Sequence, residues 1–160
     1  MKILVLSDTH GKIDECNHVL KKVDKIDLII HLGDYSSDVV NVKKIFKLDI
    51  INVRGNCDHL DTKTKDEIIV TLEGKKLFLT HGHIYRVKMN LDRIFYRAKE
   101  LQVDIALFGH SHVPLSLTYE DILLFNPGSI SMPRKRSKKS FGIIELKQNS
   151  IKSAIYTIDW

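Results

Sequence analysis

The segment Lys2-Ile3-Leu4-Val5-Leu6-Ser7-Asp8-Thr9-His10 decides the fold, because a short apolar run passes directly into polar residues. Nearly continuous apolar runs of this length are typical of strands that are buried on both faces. Each of three further runs is followed within two residues by a glycine and then by Asp, Asn or His: Leu28–Leu32, Ile50–Val53 and Val103–Phe108. We therefore predict four central strands that end in polar loops.

Amphipathic stretches separate these runs. Apolar residues recur at helical spacing in three places: Ile13, Cys16, Leu20 and Val23; Val39, Val42, Ile45 and Phe46; and Leu91, Ile94, Phe95, Ala98 and Leu101. Ser36-Ser37 stands before the second stretch, where a helix cap is expected. The alternation of strands and helices predicts an α/β protein.

The other apolar runs have the pattern of antiparallel strands. Glu67–Leu72 and Lys76–Thr80 flank Glu73-Gly74-Lys75, which predicts a hairpin. A run of antiparallel strands with short turns is expected at Leu115–Tyr119, Ile122–Phe125, Phe141–Leu146 and Ile151–Ile158. These strands exceed the needs of one doubly wound sheet, so we expect two packed sheets with helices outside.

The chain is long enough for one domain, residues 1–160, with a substantial core. Apolar residues make up 43% and charged residues 28%, which excludes a disordered or fibrous chain. Apolar runs stay well short of the roughly 20 residues of a membrane span, and the first run is too short for the core of a signal peptide. Cys16 and Cys57 form no disulfide framework, so we expect a cytoplasmic protein with free thiols and no membrane partner.

The net charge of +5 arises in the last 30 residues, because residues 131–160 hold seven basic and two acidic side chains. Most of the excess lies in the basic run 134–139, Arg134-Lys135-Arg136-Ser137-Lys138-Lys139. Such a run binds nucleic acid or phosphate in some proteins and is a solvated loop in others. The five tyrosines form no recognisable stacking platform for single-stranded nucleic acid.

Metal-capable side chains follow five of the expected strands. The candidate ligands are Asp8, His10, Asp34, Asn56, His81, His110 and His112. Ligands bind at the carboxyl ends of strands in α/β sheets, and i, i+2 pairs in extended backbone point to one side. Glycines at 33, 55 and 109 precede ligands and permit tight or positive-φ turns.

Two carboxylates, one amide and four imidazoles are too many for one metal ion with an open position. They suit two ions about 3.5–4 Å apart, bridged by a carboxylate and a water. The mixture of nitrogen and oxygen ligands favours Mn, Fe, Ni, Co or Zn over Mg or Ca. Two divalent cations there would match the oxygens of a phosphate ester, so the expected cofactors are two divalent transition-metal ions.

The series D-x-H, GD, GN-x-D, HGH and GHSH resembles the calcineurin-like metallophosphoesterases, and most of all their small single-domain YfcE-type phosphodiesterases. Asn126-Pro127-Gly128-Ser129 and Pro133-Arg134 extend the resemblance over nearly the whole chain. It implies a four-layer α/β/β/α sandwich, with two mixed β-sheets flanked by helices. By motif, Asp8, His10 and His112 would hold one metal, Asn56, His81 and His110 the other, and Asp34 would bridge them.

One position departs from the common family pattern. Many members carry a histidine next to the ligand asparagine as a candidate general acid, whereas this chain carries Cys57, although the small members often share the cysteine. A thiol is a weak hydrogen-bond donor, so the proton donor is open among Cys57, Asp58, His59 and His83. His83 lies two residues after His81 and is also a candidate for substrate binding. His31, inside an apolar run, is expected to be a hydrogen-bonded core residue.

Three functions remain open. The first is a phosphodiesterase that hydrolyses a small phosphodiester or nucleotide through attack by a metal-bridging hydroxide. The second is a nuclease with the same centre, in which the basic run 134–139 grips backbone phosphates. The third is a non-catalytic scaffold, since the retromer subunit of this fold binds proteins; there some ligand positions are replaced, whereas here none is. Family members often form homo-oligomers, but the sequence shows no interface.

Overall fold

A computed structural model describes residues 1–148 and 150–158, without the side chains of Leu20 and Lys21. The predicted domain 1–160 therefore includes residues 149, 159 and 160 outside the described part. The strands are β1 Lys2–Leu6, β2 Leu28–His31, β3 Ile50–Asn52, β4 Glu67–Leu72, β5 Lys75–Thr80, β6 Ile105–Leu107, β7 Leu115–Tyr119, β8 Ile122–Asn126, β9 Ser140–Lys147 and β10 Ser150–Thr157. The helices are α1 Asp14–Lys22, α2 Asp38–Phe46 and α3 Asp92–Glu100.

Two mixed five-stranded sheets form the centre of the fold. The first has the order β10-β9-β1-β2-β3, with β1, β2 and β3 parallel and β9 antiparallel to β1. The second has the order β4-β5-β6-β8-β7, with β5, β6 and β8 parallel and β4 and β7 antiparallel at its edges. The carboxyl ends of the parallel strands carry the polar loops.

The period of two in the strands divides the side chains among three cores. Ile3 and Val5 of β1 pack between the two sheets with Leu77 and Leu79 of β5. The alternate residues of the first sheet pack beneath α1 and α2, and those of the second pack beneath α3. The layers are therefore helices, first sheet, second sheet and helix, which confirms the predicted α/β/β/α sandwich.

Three details of the prediction are wrong. The residues of β3 are only partly buried because β3 is an edge strand, whereas we expected burial on both faces. Ser37 stands at the N-cap of α2 but its side chain makes no capping hydrogen bond. The four late strands form two hairpins in different sheets, because β7–β8 joins β6 and β9–β10 joins β1. In the described part of the chain, all helices are too short or too polar to cross a membrane.

Candidate metal centre

The polar loops bring six of the seven candidate ligands into two clusters that share one carboxylate. The first cluster contains Asp8, His10, Asp34 and His112, and the second contains Asp34, His81 and His110. Within each cluster, one nitrogen or oxygen atom per residue lies within 4.8 Å of the others. Asp34 therefore stands between two groups of side chains, each of which could hold a metal ion.

The first cluster joins the end of β1 to the loop after β6. The Oδ1 atom of Asp8 lies 3.1 Å from Nε2 of His112, and Nε2 of His10 lies 3.4 Å from the same nitrogen. Nε2 of His10 is also 3.9 Å from Oδ2 of Asp34. All four residues of the first cluster thus direct nitrogen or oxygen atoms toward one point.

The second cluster lies on the other side of Asp34. Nε2 of His81 is 3.4 Å from Oδ1 of Asp34 and 3.2 Å from Nδ1 of His110. The Oδ1 atom of Asn56 lies 3.2 Å from the same Nε2 atom. Asn56, the seventh candidate, therefore contributes an amide oxygen to the second cluster.

Backbone carbonyls fix the tautomers of two ligand histidines. Nδ1 of His81 lies 2.7 Å from the carbonyl oxygen of Leu32, and Nδ1 of His112 lies 2.5 Å from that of Met132. Because a carbonyl only accepts, each ring must place its proton on Nδ1. Nε2 of each neutral ring then carries a lone pair toward the cluster, which is the orientation that a metal ion requires.

The charges favour a cation between the carboxylates. Burial opposes ionisation of Asp8, but contact with His112 and the charge of His81 hold its pKa below the ordinary value. Burial likewise opposes protonation of His81 and His112, yet Asp34 raises the pKa of His81 and Asp8 raises that of His112. Oδ1 of Asp8 is buried and accepts no hydrogen bond from the described residues. These residues fit a divalent cation, which would satisfy this oxygen and the facing lone pairs.

The ligands converge through a backbone geometry that the sequence did not predict. We expected Asp8 with His10, and His110 with His112, to act as pairs on extended backbone. All four residues, and Asp34 as well, have positive φ values of 46–63°. Such conformations in non-glycine residues cost of order 1–3 kcal/mol each and cluster at functional sites. His110 and His112 also belong to different clusters.

Glycines at two positions allow the loops to approach. Gly33 has a φ of +90°, as expected for a glycine turn. Gly55 does not have positive φ; a Cβ there would instead overlap the backbone nitrogen and carboxylate of Asp34. The prediction of tight or positive-φ turns is thus correct at 33 and also at 55, where the backbone N–H of Asp58 donates to the carbonyl oxygen of Gly55 and close approach is a further reason for glycine. Gly109 also lacks positive φ.

A loop after β8 supports Asp8, and sequence reasoning did not assign it this role. The hydroxyls of Ser129 and Ser131 donate to the carbonyl oxygen of Asp8 over 2.9 and 2.8 Å. Nδ2 of Asn126 donates to the carbonyl oxygen of Gly109, beside the ligand His110. The sequence Asn126-Pro127-Gly128-Ser129 was the available signal, but only as part of the resemblance.

The comparisons with known proteins agree with this geometry. The family model of the calcineurin-like phosphoesterase superfamily domain matches residues 1–149. This chain belongs to the calcineurin-like phosphoesterase superfamily. The probable metallophosphoesterase YsnB of Bacillus subtilis is 36% identical over 157 residues, which cover 98% of this chain and 90% of YsnB. The phosphodiesterase YfcE of Escherichia coli is 29% identical, with 91% of this chain and 88% of YfcE covered.

Solved structures share the superfamily fold. A predicted phosphoesterase from Streptococcus pneumoniae has a TM-score of 0.79 and 30% identity, with 98% of this chain and 88% of that chain covered. Vps29 of Entamoeba histolytica, solved in complex with Zn²⁺, has a TM-score of 0.76 and 18% identity, with 98% and 99% covered. At that identity, the second comparison shows the fold alone.

The candidate proton donors lie at different places around the two clusters. Cys57 follows Asn56 in the chain and is exposed as a residue. Partial burial of its thiol and the hydrogen bond with Asp34 raise the pKa of the thiol to about 11. The carboxylate of Asp58 accepts the backbone N–H groups of Ser36 and Gly55 and braces the loop.

The two remaining candidates are histidines. His59 is exposed and lines the clefts beside the ligand loop. The ring of His83 lies 5.5 Å from that of His81 and 6.0 Å from that of His110, centroid to centroid. His31 is fully buried and hydrogen-bonded to Thr9 and Gly33, as expected of a core residue.

Proposed function

We propose that this chain is a metal-dependent phosphodiesterase with a binuclear centre. The observation that carries the proposal is the position of Asp34 in both ligand clusters. A carboxylate shared by two groups of nitrogen and oxygen atoms suits two metal ions about 3.5–4 Å apart. Membership of the superfamily and the similarity to the phosphodiesterase YfcE support hydrolysis of a phosphate ester.

The proposed ligand assignment follows the two clusters. One metal would be held by Asp8, His10 and His112, the other by Asn56, His81 and His110, and Asp34 would bridge them. The nitrogen-rich set favours Mn or Ni, and also suits Fe, Co or Zn, over Ca. When bound, two such cations would supply an activated water at neutral pH and would neutralise the charge of the phosphate in an in-line displacement.

The position of His83 beside His81 and His110 supports a role in substrate contact. Its Nδ1 atom is buried and has no hydrogen-bond partner among the described residues. Burial and the charge of His81 lower the pKa of His83, so that the ring is neutral near pH 7. We propose that His83 contacts an oxygen of the phosphate or of the departing group. Asp58 acts as a positioning residue, because both of its oxygens hold the loop.

The test is a metal-exchange assay on an activated aryl phosphodiester. Protein stripped with a chelator should be inactive, and Mn²⁺ or Ni²⁺ should restore turnover better than Ca²⁺. An Asp49→Asn variant, which changes a carboxylate in an exposed ion pair with Lys43, is the control for charge alone. Full turnover with excess chelator and a metal-free sample would refute the proposal.

A nuclease with the same centre is the second candidate. The basic run 134–139 favours it, because the backbone N–H of Arg134 donates to the carbonyl oxygen of His112 and places the run beside a ligand. Nucleic-acid binding should then fall steeply with salt, by about one unit of slope per phosphate contact. Absence of binding at low salt would remove this candidate.

A non-catalytic scaffold is the third candidate, supported only by the shared fold of Vps29. The complete set of ligand residue types argues against it.

The free thiols of Cys16 and Cys57 support the expected cytoplasmic location, since free thiols are typical of reducing compartments. This location is part of the proposal.

A further inference from the structure

A cleft of about 550 Å³ lies beside the candidate metal centre. Its apolar lining includes Val87, Leu91, Phe108, Val113 and Pro114. Val87 and Phe108 are buried members of the core beneath α3, so this part of the wall is rigid. The cleft therefore offers an apolar body of fixed shape to a ligand.

Three cationic side chains line the same cleft: Lys88, Arg134 and Lys135. All three are exposed. A second cleft of about 620 Å³ near Tyr35 and Cys57 is lined instead by the carboxylates Asp58 and Asp61. The two clefts therefore differ in the sign of their charges, and only the first attracts an anion.

The cationic cleft is continuous with the candidate ligands. Ser111, which lines it, stands between His110 and His112 in the chain. The backbone N–H of Arg134 and the hydroxyl of Ser137 both donate to the carbonyl oxygen of His112, over 3.3 Å each. The start of the basic run is thus fixed to a candidate metal ligand, although its side chains are exposed as expected of a solvated loop.

We propose that this cleft binds the second ester group of the substrate, and that this group combines an apolar ring with a further negative charge. This inference rests on the proposed phosphodiesterase function and specifies its substrate class. An apolar ring covers the walls formed by Val87, Leu91 and Phe108, and the added anion meets Lys88 and Arg134. An ester group without the ring leaves the apolar walls in contact with water. An ester group without the added charge leaves the cations unpaired.

The test uses three diesters that release the same 4-nitrophenolate: the methyl, phenyl and 4-carboxyphenyl esters of 4-nitrophenyl phosphate. For the Mn²⁺-loaded protein at low salt, we expect kcat/KM to rise about tenfold from methyl to phenyl, because the ring buries apolar surface. We expect a further rise of about threefold or more from phenyl to 4-carboxyphenyl, because exposed charge pairs contribute modestly. A flat series would overturn the inference.

A double variant separates the charge from the ring. Lys88→Gln with Arg134→Gln should abolish the advantage of the carboxylate and preserve the phenyl-to-methyl ratio. The backbone bond of residue 134 to His112 stays intact, since only the side chain changes. The control is Arg136→Gln with Lys152→Gln, which loses the same charge at exposed positions outside the lining of this cleft. An equal loss in the control would show general electrostatic attraction and contradict the inference.

A binding measurement keeps this test independent of turnover. If the wild type cleaves none of the three esters, the proposed function fails, and calorimetry then compares phenyl phosphate with 4-carboxyphenyl phosphate. Tighter binding of the carboxylated compound, lost in the double variant and kept in the control, would support the cleft as a subsite. Equal affinities would overturn it.

Discussion

The Nδ1–H of His81 donates to the carbonyl oxygen of Leu32 over 2.7 Å and joins the two sheets at the edge that carries the ligands. His81 follows β5 of the second sheet, and Leu32 follows β2 of the first. The bond therefore couples the packing of the sheets to the orientation of one imidazole. In the neutral ring the proton therefore lies on Nδ1, and the lone pair of Nε2 faces Asp34.

The first prediction concerns tautomers. In the Zn²⁺-loaded protein, a long-range ¹⁵N–¹H correlation spectrum should show His81 and His112 with the proton on Nδ1, because Leu32 and Met132 supply only carbonyl acceptors. Single His→Asn variants assign the signals. A proton on Nε2 of either ring would contradict the orientation of the site.

The second prediction concerns Asp34. Asp34→Asn keeps the size of the side chain but removes its charge between the two clusters. Loss of a residue that supports a ligand typically costs 10–100-fold in metal affinity or activity, so loss of the bridging ligand should cost about 100-fold or more. His83→Ala, which affects at most a substrate contact, should cost less. Equal small losses in both variants would mean that the site is misplaced.

The third prediction concerns Cys57 and the leaving group. A thiol donates weakly, and general-acid help is worth roughly 10²–10⁴-fold for a poor leaving group. We expect turnover to depend steeply on leaving-group acidity and Cys57→Ala to lose little on aryl diesters. Cys57→His should help alkyl diesters most, if the ring fits.

A leaving-group series on the wild type and both variants decides this question. A flat series in the wild type that becomes steep in Cys57→Ala would identify the thiol as the acid. A flat series in both proteins would indicate another donor, with His59 and His83 the next residues to test.

The fourth prediction concerns stability and His31. Burial lowers the pKa of His31 to about 4, whereas an unfolded histidine titrates near its ordinary 6.5. Between these values the unfolded chain binds a proton that the folded chain does not, so stability falls as the pH falls. The expected contribution of His31 to the loss of unfolding free energy from pH 7 to 5 is about 2 kcal/mol.

Urea unfolding of the metal-free protein at both pH values measures this effect. His31→Gln, which keeps a donor and an acceptor for Thr9 and Gly33, should be less sensitive to pH by about this amount. His59→Gln at an exposed position should retain the sensitivity of the wild type. Equal sensitivity in His31→Gln and the wild type would refute the assignment.

The sandwich and the clustering of most candidate ligands were predictable because their signals are local. Apolar alternation along β1 and β5 divides residues such as Leu77 and Phe78 between two cores, and glycine with a polar residue marks the strand ends. The edge position of β3 depends on which strands pair across the chain, which composition does not reveal. The positive φ values of Asp8 and His10 were also hidden, since neither residue is a glycine.

The cationic cleft likewise could not be predicted from the sequence. The charge of the basic run 134–139 is visible in the sequence, but its apolar partners come from residues 87–91 and 108–115, far away in the chain. Only the fold brings Arg134 to the same cleft as Phe108 and Val113. From its charge alone, the basic run was therefore expected either to bind nucleic acid or phosphate or to form a solvated loop.

The most direct test of the binuclear centre is an anomalous difference map from crystals soaked in Mn²⁺. The account predicts two peaks about 3.5–4 Å apart, with the carboxylate of Asp34 between them. One peak should contact Asp8, His10 and His112, and the other Asn56, His81 and His110. A single peak at full occupancy under saturating Mn²⁺, or peaks that do not contact Asp34, would contradict the central claim.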